Sequence, residues 1–239
     1  MTAPNGRRTV AALALAAGLL IGGRPAPAQT TRFEPEPNAT IVLEGSSNVR
    51  DWTCRGDTIE GAALLPASLG RVNEVLDRIE SGDVAPWMSR RDEAGFTAPK
   101  VRMEIPIATL RCGIRAMNRD MYEALEADAH PSIVFEMTRV AGPIVHEIDQ
   151  GRYRITIEGT LQLAGTSRGV RLEVTGQRIS RERFRFSGEL PTRMTEFGIA
   201  PPTGLFGLIR ARDELTVQFD FHFRAAAPTS AAGTHEVEP

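Results

Sequence analysis

The 239-residue chain has no excess of charge of either sign: 28 Lys and Arg against 30 Asp and Glu leave a net charge of −2. Its basic residues are scattered without forming a stripe, which argues against a nucleic-acid partner. It has only four histidines, His130, His146, His222 and His235, and none shows a metal-ligand spacing such as His-x-x-x-His. His130 precedes a proline at a helix end, His146 lies in an expected turn, and His235 falls in the tail. His222 alternates with Phe221 and Phe223 and is expected to point outward. Ser46-Ser47 lacks the Gly-x-Ser-x-Gly setting of a nucleophile elbow. Asp51, Asp120 and Glu196 are isolated acids, read as caps or turn residues. No catalytic residue, metal site or cofactor is therefore assigned. An enzyme assembled across loops stays open as a rival, because spatial clusters are invisible in sequence. There is no internal repeat and no transmembrane span after the leader.

Cysteine is scarce as well. The two residues, Cys54 and Cys112, are the minimum for one disulfide; two unpaired buried thiols are the alternative. The N-terminus favours pairing. Arg7 and Arg8 precede an apolar run over residues 10–21, and Ala26-Pro27-Ala28 gives a small-x-small cleavage site. Residues 1–28 thus read as a signal peptide, with the mature chain starting near Gln29 in a periplasmic or secreted, oxidising location. A twin-arginine reading of Arg7-Arg8 has little else to support it. No cysteine stands at the cleavage point, which argues against a lipid anchor.

What is abundant is alternation. In residues 153–176, Tyr153, Ile155, Ile157, Gly159, Leu161 and Leu163 fall at every second position, against Arg154, Thr156, Glu158, Thr160 and Gln162. After a turn expected at residues 165–169, Val170, Leu172 and Val174 resume the pattern. Side chains on a strand point to opposite faces in turn, so this is an antiparallel hairpin with one apolar and one wet face.

Similar faces recur along the chain. Residues 29–38, with two prolines, read as a linker. Ile41, Leu43 and Gly45 begin the first strand, residues 49–54 follow as a bend or the start of another strand, and residues 58–65 are extended. Residues 68–82 change to helical spacing, with Ser68 as cap and Gly82 as stop. Residues 81–99, including Trp87, Met88 and Phe96, read as a long loop. Val101, Met103, Ile105 and Ile107 alternate, with Pro106 on the opposite register, a position that favours an edge or a bulge. Asn118 is the expected cap of a second helix reaching about Asp128, with Met117, Met121, Tyr122 and Leu125 on one side. Ile133, Phe135 and Met137, then Phe184, Phe186, Gly188 and Leu190, then Leu215, Val217, Phe219, Phe221 and Phe223 supply further strands. Residues 225–239 carry little to bury and are expected to be disordered. About eight strands and two brief helices make one all-β domain over residues 39–224.

Several stretches resemble the YceI-like family. They are Gly45-Ser46-Ser47-Asn48-Val49-Arg50-Asp51-Trp52; Ile105-Pro106-Ile107 leading to Leu110-Arg111-Cys112-Gly113; and Met117-Asn118-Arg119-Asp120-Met121-Tyr122-Glu123-Ala124-Leu125. His130-Pro131-Ser132-Ile133-Val134-Phe135, Gly159-Thr160-Leu161-Gln162-Leu163-Ala164-Gly165-Thr166 and Met194-Thr195-Glu196-Phe197-Gly198-Ile199-Ala200-Pro201-Pro202 follow in the family's order. Two departures stand out: Asp120 is followed by Met121-Tyr122 where many members have His-Leu, and residues 68–99 match no family pattern. The resemblance implies an extended, lipocalin-like antiparallel β-barrel of about eight strands whose apolar interior holds a long isoprenoid chain, a quinone or polyprenyl lipid. It also implies an exported protein with no assigned catalytic residue.

Alternation places Met103, Ile105, Phe135, Met137, Ile155, Ile157, Leu161, Phe186 and Phe219 on inward faces, where flexible Met and flat Phe suit a slender chain. Met117, Met121 and Tyr122 of the second helix and Phe197 of the last loop complete the candidate lining. Gly159 and Gly188 are expected to leave space. The same pattern also fits a plain, filled core. Arg119 and Asp120 are either a polar rim for a ligand head group or an ordinary first helical turn. Trp52 is either a core anchor or a stacking platform. The expected partner is a long-chain isoprenoid or other amphiphilic lipid, with a homodimer left open.

Overall fold

The structure, a computed structural model, describes residues 30–81, 99–141, 145–147, 151–204 and 207–226. Residues 1–29, Gly82, Trp87, Met88, Phe96, His235 and residues 227–239 lie outside them, so the expectations for those segments do too; Ala225 and Ala226, expected in a disordered tail, are instead held, Ala225 opposite Phe33 and the Ala226 N–H on the Arg32 carbonyl at 2.8 Å. Strands dominate. In chain order they are β1 (Thr31–Pro35), β2 (Thr40–Ser47), β3 (Asp51–Gly56), β4 (Glu60–Leu65), β5 (Lys100–Pro106), β6 (Ser132–Val140), β7 (Val145–Glu147), β8 (Arg152–Leu163), β9 (Thr166–Arg178), β10 (Arg183–Arg193), β11 (Thr203–Gly204) and β12 (Ile209–Ala225). Helix α1 (Leu69–Glu80) joins β4 to β5, and α2 (Arg115–Ala124) joins β5 to β6.

These strands close into eight staves. Both β1 and β2 run antiparallel to β12 on the same edge, one after the other, and β4 and β3 pair with them in turn. From β4 the ladder passes through β5, β6, β8, β9 and β10 back to β12. An antiparallel barrel of eight strands has no free edge, and its bore holds side chains or one slender ligand.

Residues 29–38 are not a simple tether, because they contain β1. Phe33 and Thr31 are buried there, and Phe33 pairs with Ala63 on one side and Ala225 on the other. The prolines hid this: Pro35 ends the strand, where a missing N–H is tolerated. The central hairpin turns at Ala164 and Gly165 rather than over residues 165–169. Leu163 pairs directly with Thr166, and both turn residues have positive φ, at 46° and 71°. That is the two-residue turn matching strand twist. His146 lies in β7, opposite Tyr153, and not in a turn. Ile107 leaves the strand for a 3₁₀ turn over Ile107–Thr109.

Both helices follow their apolar periodicity. In α1, Leu69, Val72 and Leu76 pack on Phe33, Ile59, Met103, Phe184 and Phe223 at one end of the barrel. The Ser68 hydroxyl caps the helix, accepting from the Arg71 N–H at 3.2 Å. Helix α2 starts at Arg115 with Ile114 at its N-cap and stops at Ala124, short of Asp128. Asn118 is therefore inside the helix and does not cap it; its side-chain oxygen instead accepts the Cys112 N–H at 2.7 Å. Cys54 and Cys112 are joined by a disulfide spanning 58 residues of sequence.

Candidate functional site

The inward faces surround one elongated cavity of about 2110 Å³. Ligand pockets for small molecules hold roughly 300–1,000 Å³, so this one has room for a longer occupant. Of the candidate residues, Met103, Ile105, Phe135, Met137, Ile155, Ile157, Leu161, Phe186 and Phe219 line it from the strands. Met117 and Met121 line it from α2, and Phe197 from the last loop. Cys54 and Cys112 also reach its wall, and Cys112 Sγ lies 3.5 Å from Met121 Sδ.

Tyr122 is the exception. One residue past Met121 is about 100° round a helix, and Tyr122 faces away from the cavity. Its hydroxyl donates to the Leu110 carbonyl at 2.7 Å and accepts from Arg111. It is a clasp between α2 and the preceding turn, which the sequence could not distinguish from a lining residue.

The glycines do not leave space either. A Cβ on Gly159 would meet the Phe135 ring at 2.6 Å, one on Gly188 the Phe219 ring at 2.8 Å, and one on Gly176 the Phe186 ring at 3.1 Å. The Trp52 ring covers Gly45 in the same way, and its Nε1 donates to the Ser46 carbonyl at 3.1 Å. Each ring lies down on a neighbouring strand where a glycine makes room, becoming wall instead of projecting across the bore. The glycines thus widen the lumen indirectly, through the rings they let lie flat.

The two ends differ in exposure. Among the described residues, six lining residues at one end are exposed: Arg50, Ile114, Ala116, Arg119, Arg193 and Thr203; at the other only Arg139 is, and it turns to Glu158 at 2.6 Å. The first end is therefore the mouth. Arg119 and Asp120 stand there, 3.4 Å apart, and Arg50 reaches Met117 Sδ at 4.0 Å. Sequence reasoning placed Arg119 and Asp120 but passed over Arg50 and Ile114, which carry no local signature of a rim.

At the far end α1 lies across the lumen, with Val72, Val75 and Leu76 in its lining. Sequence periodicity showed an amphipathic helix there but not what it covered. Arg178 fixes the helix, reaching Asp77 at 2.6 Å and bonding Glu80, whose carboxylate also accepts from Tyr153. Asn73, 4% exposed, donates to the Leu69 and Arg181 carbonyls at 2.9 Å. Burial, reinforced by Glu80, pushes the Tyr153 hydroxyl above the ordinary phenol range. Burial opposes the charge on Arg178, but Asp77 and Glu80 outweigh it and raise its pKa.

A closed eight-stranded antiparallel barrel with an apolar lumen and one polar mouth is a lipocalin-like architecture. The YceI-like domain model matches residues 69–223, and the chain belongs to that family. Among solved structures, a polyisoprenoid-binding domain from Saccharophagus degradans is similar in fold at 13% identity and a TM-score of 0.56, covering 81% of this chain and 98% of that one. BcnA from Burkholderia cenocepacia is 16% identical with a TM-score of 0.49, over 77% of this chain and 95% of its own. A YceI protein from Campylobacter jejuni is 20% identical with a TM-score of 0.41, over 56% of this chain and 75% of its own. No functionally curated protein matches the chain.

Proposed function

We propose that this is an exported lipid-binding protein that holds a long-chain isoprenoid, a quinone or polyprenyl lipid, in the barrel lumen for transport or storage. The observation that carries the reading is the cavity of about 2110 Å³ walled by Met, Phe, Ile and Leu. An empty apolar void costs about 24 cal/mol per Å³, so a dry void one tenth this size would cost about 5 kcal/mol. That already rivals the whole stability of a small domain, which is about 5–15 kcal/mol. An apolar occupant removes the cost and gains about 0.8 kcal/mol for each methylene taken out of water. Holding such a chain needs burial and no reacting group, so the role proposed is binding without catalysis. Membership of the YceI-like family and the fold shared with a polyisoprenoid-binding domain support the reading. The signal-peptide pattern read in residues 1–28 and the Cys54–Cys112 disulfide support export to an oxidising compartment.

Organic extraction of freshly purified protein, followed by mass spectrometry, should release an isoprenoid in near-equal amount to protein. Leu161→Trp should lower that yield while the barrel still folds. A wild type that carries no lipid, takes up none when offered, and is strongly destabilised by Leu161→Trp would mean a filled core and no binding function.

A further inference from the structure

Val49, Ile114 and Leu208 are 60%, 44% and 75% exposed, and all three stand at the mouth end. The fourth large exposed apolar side chain among the described residues, Ile179, is at the other end. Val49 is in the β2–β3 turn, Leu208 directly precedes β12, and Ile114 is the N-cap of α2. A loose loop that happened to carry an apolar residue would teach little, but the backbone at Val49 and at Leu208 is fixed. The Ser47 hydroxyl donates to the Arg50 carbonyl at 2.8 Å and accepts from the Val49 and Arg50 amides at 3.3 and 3.1 Å. Asn48 then bolts the two together. Its side-chain nitrogen donates to the Leu208 carbonyl at 2.9 Å, its side-chain oxygen accepts the Arg210 N–H at 2.8 Å, and its own N–H donates to the Arg210 carbonyl at 3.1 Å.

Each of the three has an arginine beside it: Arg50 after Val49, Arg115 after Ile114, and Arg210 two residues past Leu208. These three have no carboxylate partner among the described residues. Of the other charges at this end, Arg119 meets Asp120, Arg193 meets Glu214, Asp213 meets Thr195 and Glu196 meets Thr192, while Asp51 and Arg212 have no charged partner among the described residues. Exposed apolar residues with guanidinium groups set beside them match the surface of a phospholipid bilayer, where side chains of the first kind enter the acyl boundary and those of the second meet phosphates. The rim is continuous with the opening of the lumen, so an isoprenoid would pass between bilayer and barrel without crossing water.

We propose that Val49, Ile114, Leu208, Arg50, Arg115 and Arg210 form a docking rim that seats the mouth on an anionic phospholipid bilayer. The inference rests on the lipid-carrying reading of the lumen, but it is tested separately. The full chain should float with vesicles of phosphatidylglycerol and phosphatidylcholine, and less with phosphatidylcholine alone. The double variant Val49→Asp/Leu208→Asp touches neither the lumen wall nor the core. It should lower vesicle partitioning about tenfold, equivalent to 1.4 kcal/mol, with unchanged melting temperature and co-purified lipid. Arg50→Gln/Arg210→Gln should remove the preference for anionic vesicles. Ile179→Asp, at the far end, should change nothing. A wild type that floats with neither vesicle, a Val49→Asp/Leu208→Asp protein that floats like wild type, or an equal loss with Ile179→Asp would overturn the proposal. Protein that floats but carries no isoprenoid would instead sink the cargo reading and leave the rim standing.

Discussion

The two ends of the barrel are built from different chemistry. At the far end α1 lies across the lumen in a polar clasp: Arg178 on Asp77 and Glu80, Tyr153 on Glu80, Asn73 on two carbonyls. At the mouth α2 stands beside the opening, held by the disulfide behind it, the Tyr122 hydroxyl and methionine contacts. A partly desolvated ionic clasp fixes one geometry and is costly to break halfway. Methionine is unbranched and adapts its shape to what it touches. The far end is therefore the fixed plug, and the mouth the adaptable entrance.

Cutting the mouth's covalent tie should have the largest effect. Cys112→Ser frees a 58-residue loop and should cost about 4 kcal/mol by the chain-entropy argument. Hydrogen exchange should show β3 and α2 losing protection first while α1 keeps it. Equal loss in α1 would mean that the ends are not independent. The mirror experiment is Arg178→Met. Arg178 is only 16% exposed, and its loss leaves Glu80 with the Tyr153 hydroxyl and Asp77 with Arg181 at 3.5 Å, so about 2 kcal/mol should go, with α1 fraying and α2 intact. A loss below about 0.5 kcal/mol, read from denaturant melts, would reduce the clasp to an ordinary surface pair.

Between the ends, the wall itself can be tested. Gly188→Ala would press on both the Phe219 ring and the Glu173 carbonyl and should cost about 1–3 kcal/mol. Gly176→Ala meets only the side chains of Phe186 and Ile155, so it should cost less than about 1 kcal/mol while narrowing the bore, seen as lower lipid content. If Gly176→Ala leaves lipid content unchanged, the flat rings do not set the bore.

The smallest effect is alkaline. A phenol whose folded-state pKa is raised contributes stability that is fully present below its unfolded pKa, near 10, and is lost as pH rises through the folded value. Tyr153 should therefore stay protonated when exposed phenols ionise. Tyr153→Phe should leave the native phenolate absorbance near pH 10 unchanged and lower only that of unfolded protein. A drop in the native signal would place Tyr153 in water and loosen the plug.

Period-two alternation made most of the barrel legible in the residues themselves. Ile155, Ile157 and Leu161 lie on the inward face because side chains on a strand can only alternate, and that constraint is local. The same locality explains the lining residues found on β5, β6, β10 and β12, and the helical face of Met117 and Met121. What failed locally was overridden by pairing or by space. Phe33 forms a strand only because β4 and β12 come to meet it on either side. Tyr122 turns from the lumen because a carbonyl of the preceding turn takes its hydroxyl. Gly159 and Gly188 make room for rings, not for a ligand, because the ring that covers each belongs to a neighbouring strand. Asn118 gives up the capping role for the Cys112 amide. The order of polar and apolar residues thus determined a barrel with an apolar inside. Only the closed ladder decided which end opens, what α1 covers and how wide the bore is, because those depend on residues far apart in the chain meeting across the strands.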